Sequence, residues 1–148
     1  MQGRGIILEF DEKKNGNAIY EGYFKNNVKE GTGRLVTVTS EVFEGTFQGG
    51  RRKVGKSTLP SGRVYEGKWS TAQMREDGKG KEKYEDGSSY VGEFEADRRE
   101  GQGVMTYADG TKYTGSWNKD QIHGSGTRTD KTGGVTEQGI YQYGKKIR

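Results

Sequence analysis

Residues Gly50-Arg51-Arg52-Lys53-Val54-Gly55-Lys56-Ser57 satisfy the pattern G-x-x-x-x-G-K-[ST] in full. In a phosphate-binding loop, backbone amides and the N-terminus of a following helix wrap an anion while the lysine reaches its outer phosphates. Here the next residues are Thr58-Leu59-Pro60-Ser61-Gly62, which cannot carry two turns of helix. The expectation is a chance match, and nucleotide binding is the least favoured of three readings. His123 is the only histidine, so a multi-histidine metal site is excluded and any Ser-His-acid arrangement would have to use it. It stands just before Gly124 and reads as a loop residue. Glu21, Glu44, Glu66 and Glu93 are expected on the strand face opposite the aromatic rings. Carboxylate pairs do acid–base work when they share a cleft, whereas a ladder along solvated strands is charge balance, here with Lys25, Lys68 and Lys119. The chain has no cysteine, which excludes disulfides, thiolate metal sites and cysteine nucleophiles. No catalytic, metal or cofactor residue is assigned, and no enzyme is expected.

Basic clusters remain: Arg51, Arg52, Lys53 and Lys56; Lys79, Lys81 and Lys83; Arg98 and Arg99; Lys145, Lys146 and Arg148. The first and last are expected in hairpin loops, and the second on one strand face. Arg51, Arg52, Lys53, Lys56, Arg98 and Arg99 are the candidates for anionic lipid headgroups, where each charge contributes ~1 kcal/mol near the surface. The net charge of +4 is mild and interspersed with acid, so nucleic acid is not an expected partner. Met1 to Phe10 contain charges and no long apolar run, and no stretch approaches ~20 apolar residues. A chain located in the cytoplasm is the expectation.

The elements that position these groups follow from a repeat. Tyr20-Glu21-Gly22, Phe43-Glu44-Gly45, Tyr65-Glu66-Gly67, Tyr90-Val91-Gly92 and Tyr113-Thr114-Gly115 recur at steps of 23, 22, 25 and 23 residues. Two residues after each glycine comes a second ring, namely Phe24, Phe47, Trp69, Phe94 and Trp117. Gly-x-Gly pairs follow at Gly31/Gly33, Gly78/Gly80, Gly101/Gly103 and Gly124/Gly126. Such a period marks a stacked array, whose thin core is compatible with a hydrophobic content of 28%.

Within one unit, Tyr90, Gly92 and Phe94 alternate with Val91, Glu93 and Glu95, a period of two that predicts a strand. Gly103, Met105 and Tyr107 predict a second strand, with Ala96 to Glu100 as the hairpin loop. Asp109-Gly110 then supplies a turn, as do Asn15-Gly16, Ser61-Gly62 and Asp86-Gly87. Leading ring, glycine and second ring share one face, where the glycine leaves room for rings to pack. The expected fold is all-β, an elongated twisted antiparallel meander of stacked β-hairpins with one aromatic and one polar face. Six hairpins at ~4.8 Å per strand give roughly 55 Å before twist.

These motifs resemble the MORN repeat (membrane occupation and recognition nexus), and Asp109-Gly110-Thr111-Lys112-Tyr113-Thr114-Gly115-Ser116-Trp117, continuing to His123-Gly124-Ser125-Gly126, is the cleanest match. The resemblance covers essentially the whole chain as one array: a half unit at 1–19, units starting near 20, 43, 65, 90 and 113, and a degenerate last unit at 137–148. In the second unit Gly55 and Ser57 stand where the Gly pair is expected, and one residue is missing. The third carries two extra residues in Ser70 to Asp77. The last places Glu137 in the leading aromatic slot, with Gly139 and Tyr141 keeping the rhythm. The resemblance implies a non-enzymatic interaction scaffold, a subunit of a ciliary axoneme of radial-spoke type or of a cytoskeletal assembly, with other protein chains as partners. The alternative it implies is a peripheral membrane adaptor for acidic phospholipids. No small-molecule substrate and no cofactor is expected. The expected protein-contact surface is the N-terminal edge at Ile6, Ile7 and Leu8, an aliphatic run lacking a preceding Tyr-x-Gly strand, helped by Tyr65, Tyr84, Tyr90, Tyr107 and Tyr113 of the aromatic trough.

Overall fold

A computed structural model describes residues 2–11, 16–70 and 75–148. Alternation of period two without a competing helical period leaves the described chain no regular structure except strands. They are β1 (Gly3–Asp11), β2 (Gly16–Lys25), β3 (Val28–Val36), β4 (Val42–Gln48), β5 (Arg51–Thr58), β6 (Val64–Ser70), β7 (Arg75–Lys83), β8 (Ser89–Glu95), β9 (Arg98–Thr106), β10 (Lys112–Asn118), β11 (Gln121–Thr129), β12 (Val135–Gln142) and β13 (Lys145–Lys146). All lie in one open antiparallel sheet in chain order, so each strand pairs with its neighbours in sequence.

Register is set by glycine. Gly5, Gly22, Gly33, Gly45, Gly55, Gly67, Gly80, Gly92, Gly103, Gly115, Gly126 and Gly139 stand opposite one another in an unbroken row from β1 to β12. The reason is steric. The Tyr65 ring lies over Gly67 and Gly80, and a Cβ on Gly80 would sit 2.6 Å from its Cε2 and hydroxyl. A slip of one residue would put a side chain under the ring and turn every ring to the other face. Each hairpin inside a unit also carries a bulge between this row and the second ring, which increases local twist.

The core is a single file of rings on one face. Tyr20, Phe43, Tyr65, Tyr90 and Tyr113 are fully buried, and Tyr141 nearly so. Each of the five meets the second ring of its own unit or of the next, edge to face, with centroids 4.9–5.6 Å apart from Tyr20–Phe47 to Phe43–Trp69. The tyrosine hydroxyls donate to the carbonyl three residues on, Tyr65 to Lys68 at 2.7 Å and Tyr90 to Glu93 at 3.1 Å.

Several sequence expectations are revised here. The hairpin turns are tighter than a four- or five-residue loop: Asn26-Asn27, Gly49-Gly50, Ala96-Asp97, Lys119-Asp120 and Tyr143-Gly144 take positive φ at both positions, the two-residue hairpin geometry. Residues Arg51 to Ser57 lie in a strand and not a loop, paired with β4 from Arg51 onward and with β6 from Val54 onward, so the segment belongs to a sheet ladder. Gly55 occupies the second glycine slot, and Ser57 lies fully buried among rings instead of completing a Gly pair. Arg98 and Arg99 open β9, and Lys145 and Lys146 form β13, just past the Tyr143-Gly144 turn. The extension assigned to Ser70–Asp77 falls at residues 71–74, outside the described residues, between paired Ser70 and Arg75. Asn15 also lies outside them.

Candidate functional site

Cations close over the ring file. Directly opposite the second rings stand Lys29, Arg52, Glu76, Arg99 and Ile122. Lys29 lies 5.2 Å from the Tyr20 centroid, Arg52 lies 4.9 Å from Phe43 and 4.8 Å from Trp69, and Arg99 lies 4.7 Å from Trp117. Arg128, one row over, covers Tyr113 and Tyr141. Each cation is fixed by an acid from a neighbouring element: Lys29 by Glu9 at 2.6 Å, Arg52 by Glu41 at 2.6 Å, Arg99 by Asp120 at 3.0 Å and Arg128 by Glu137 at 3.4 Å. Partly desolvated cation–ring contacts contribute roughly 1–2 kcal/mol each. This layer explains how a single sheet, with no second layer among the described residues, excludes water from its tyrosines.

Glu76 interrupts the layer. It is buried opposite Trp69, with Arg63 reaching it at 3.2 Å from the preceding turn. Arg63 also pairs with buried Glu82, which accepts the Tyr84 hydroxyl. Burial pushes the Glu76 carboxyl up to about 8, against the opposing pull of Arg63. Burial also raises the Tyr65 and Tyr84 phenols. Among the described residues, two buried donors nearby, Arg52 Nε and Trp69 Nε1, have no acceptor, whereas Trp117 Nε1 donates to Gly103 O at 3.4 Å.

The other face is organised by charge in one half only. Glu21, Arg34, Glu44, Lys56, Glu66 and Lys81 are successive cross-strand partners, and the row continues as Val91, Val104, Thr114, Thr127 and Gln138. Glu21, Glu44 and Glu66 are therefore balanced by Arg34, Lys56 and Lys81, not by Lys25, Lys68 and Lys119, while Glu93 lies outside this row, opposite Lys79 and Glu100. Local spacing cannot identify these partners, because they are set by register across strands. Exposed pairs of this kind contribute ~0–1 kcal/mol.

The candidate contact residues separate. Tyr65, Tyr90 and Tyr113 are sealed in the ring file, while Tyr84 and Tyr107 are half-buried and pack against it. Ile7 turns into the trough opposite Tyr20, whereas Ile6 and Leu8 are 65% and 68% exposed on the outer face with Phe10 beside them. Phe10 escaped sequence reasoning, although the alternation Ile6, Leu8, Phe10 carries the signal. Of the basic candidates, Arg52 and Arg99 are committed to rings and acids, and Arg51, Lys53, Lys56 and Arg98 are exposed. His123 is half-buried, its ring 5.6 Å from that of Tyr143 and its Nδ1 without a hydrogen-bond partner among the described residues. Among the described residues no group of three or more His, Cys, Asp and Glu is placed to hold a metal ion.

A family model described as MORN repeat matches residues 20–39, 75–89, 90–112 and 113–135. No curated protein matches the chain. Among solved structures, the wild-type TCP10 domain of Danio rerio CPAP is similar at 15% identity over 92% of this chain and 79% of that one, with a TM-score of 0.24. A likeness at that score carries no argument.

Proposed function

This chain belongs to the MORN-repeat family, and from that premise we propose that it is a non-enzymatic scaffold subunit of a larger protein assembly, ciliary of radial-spoke type or cytoskeletal, in the cytoplasm. The observation that carries this reading is the contrast between a sealed ring file and an apolar patch left exposed on the outer face of β1. The rings that might have served as anchors are consumed by packing, while β1 presents Ile6, Leu8 and Phe10 beside an edge with no further strand among the described residues. An exposed apolar edge strand is a liability unless another strand covers it. The partner surface is accordingly β1, with half-buried Tyr84 and Tyr107 as secondary contacts.

The test is affinity purification of the tagged chain from native cells, with co-purifying chains identified. Ile6→Lys and Leu8→Lys should each reduce recovery of the partners without lowering Tm, since both side chains are exposed. Ile7→Lys is the poorer probe, because Ile7 packs against the ring file. Unchanged recovery with both exposed variants would refute the reading.

A second reading, a peripheral adaptor for acidic phospholipids, is favoured by Lys56, Lys81 and Lys83, which gather around Val64 and Glu66 on the outer face. Sedimentation with anionic vesicles that fades across a salt series, and is lost when these three lysines are neutralised, would support it over the first.

A further inference from the structure

The charged row on the outer face of β1 to β8 has an order that reads the same way from both ends, except for sign. From strand to strand it runs Ile6, Glu21, Arg34, Glu44, Lys56, Glu66, Lys81 and Val91, each the direct cross-strand partner of the next. The six central side chains alternate in charge. An apolar side chain closes the row at each end, Ile6 being 65% and Val91 52% exposed. Beside it lies a second row, Ile19, Val36, Val42, Thr58 and Val64, ending at Lys83. All strands lie in one sheet, so no element among the described residues covers this face.

Glu21, Glu44 and Glu66 cancel Arg34, Lys56 and Lys81, so net charge along the row selects neither an acidic nor a basic partner. What the row selects is alternation at the ~4.8 Å spacing of neighbouring strands. A helix laid along it repeats every ~5.4 Å and falls about 3 Å out of step over its length. A second copy of the same face keeps step. Reversing the row exchanges every sign, so a two-fold axis parallel to the strands, between β4 and β5, sets unlike charges on one another. Glu44 of one copy then faces Lys56 of the other, Arg34 faces Glu66, and Glu21 faces Lys81. The same rotation brings Ile6 onto Val91, Val36 onto Val64 and Val42 onto Thr58. An axis across the strands would instead set Glu44 on Glu44 and Lys56 on Lys56. Two copies of one twisted surface related by the first axis nest, as the aligned sheets of a sandwich do.

We infer that the chain forms a two-fold symmetric dimer through the outer face of β1 to β8, two sheets face to face with their ring files turned outward. The contact is isologous, so every pair occurs twice and the assembly closes at two copies. Seven strand steps make it roughly 35 Å long. The apolar row packs beside the charged one, and the charges at the seam remain near solvent, so salt weakens the dimer. Arg34 and Glu66 are the pair that identifies this arrangement. Within one copy they lie on β3 and β6, roughly 14 Å apart, and each has other neighbours: Glu21 and Glu44 for Arg34, Lys56 and Lys81 for Glu66. Only a second copy brings them together. The inference goes beyond the β1 contact proposed above, because its charge pairs lie on β2 to β7.

Sedimentation velocity of the purified full chain, across a concentration series in low and high salt, reads the association. The expected result is a monomer–dimer equilibrium that moves toward monomer as salt rises. Arg34→Glu and Glu66→Lys should each abolish the dimer, because each sets two like-charged pairs across the seam. An equimolar mixture of these two variants should dimerise again, since each copy then meets opposite charge at both pairs. No contact within one copy can produce that rescue. Arg34→Gln and Glu66→Gln remove charge without reversing it, and each should weaken dimerisation about tenfold with Tm unchanged. A parent chain still monomeric at about 1 mM, species larger than a dimer, dimerisation indifferent to both reversals, or no rescue in the mixture of folded variants would each overturn the inference. If a reversed variant melts early, the neutral pair decides, and dimerisation by both neutral variants equal to that of the parent overturns it. The purified chain is used alone, so failure here leaves the β1 contact, read in the recovery of native partners, standing.

Discussion

Tyr65 lies over Gly67 and Gly80 while its hydroxyl donates to the Lys68 carbonyl, so ring, glycine pair and backbone form one packing unit. A Cβ on Gly80 has nowhere to go, because the ring fills that space and the Gly67 Cα lies opposite. Gly80→Ala should therefore cost about 3 kcal/mol in denaturant titration, at the upper end for an overpacked site. Tyr65→Phe should cost only ~1 kcal/mol, the net value of one hydrogen bond, since Phe43 already serves in the equivalent slot without a hydroxyl. Glu76 belongs to the same scale. Burial holds its carboxyl above the ordinary glutamate value, so its contribution to stability is fully present below that value and is lost as pH rises through about 8. Thermal melts from pH 4 to 9 should show that decline, and Glu76→Gln should flatten it. The rings and glycines are legible in the sequence because their identities repeat. The cation layer is not, because its slots hold Lys29, Arg52, Glu76, Arg99 and Ile122, which share a position and no chemistry.

At the scale of elements, the hairpin turns carry more strain than their sequences suggest. Ala96 takes φ 51° and Asp97 φ 65°, in the left-handed region that disfavours a Cβ. The turn is held because the Asp97 amide donates to Glu76 O at 3.1 Å and its carboxylate accepts from the Glu76 amide at 2.7 Å. The next unit repeats the device with Asp120 and Arg99. Ala96→Gly should relieve part of this strain and raise stability by about 1 kcal/mol, roughly 3 °C in Tm. This tertiary support is why the charged stretch from Ala96 to Glu100 reads as a longer loop in the sequence: a two-residue turn of this type normally announces itself with Asn-Gly or Gly-Gly. The same cause hides β5, where Arg51, Arg52 and Lys53 resemble a solvated loop until Gly45 and Gly67 are seen flanking Gly55. Alternation and turn residues, by contrast, give the strand-turn-strand rhythm directly.

In the molecule as a whole, every strand touches its neighbours in sequence and packing is passed from ring to ring, so the effects of damage are local. Trp117→Ala removes the ring that Tyr90 and Tyr113 both stack against. It should cost ~3–5 kcal/mol and release hydrogen-exchange protection in β9 to β12, with β2 to β5 unchanged. A uniform loss along the chain would contradict this nearest-neighbour picture. The strand order has a mechanical consequence as well. With β1 at one end of the sheet and β13 at the other, tension applied at the termini acts across the strands and loads hydrogen bonds one after another instead of in parallel. Held in an optical trap, the chain should pay out in a low-force staircase, each step releasing one unit of about 23 residues and roughly 7 nm. It would behave as a stepwise extensible tether, and re-form from whichever units remain stacked.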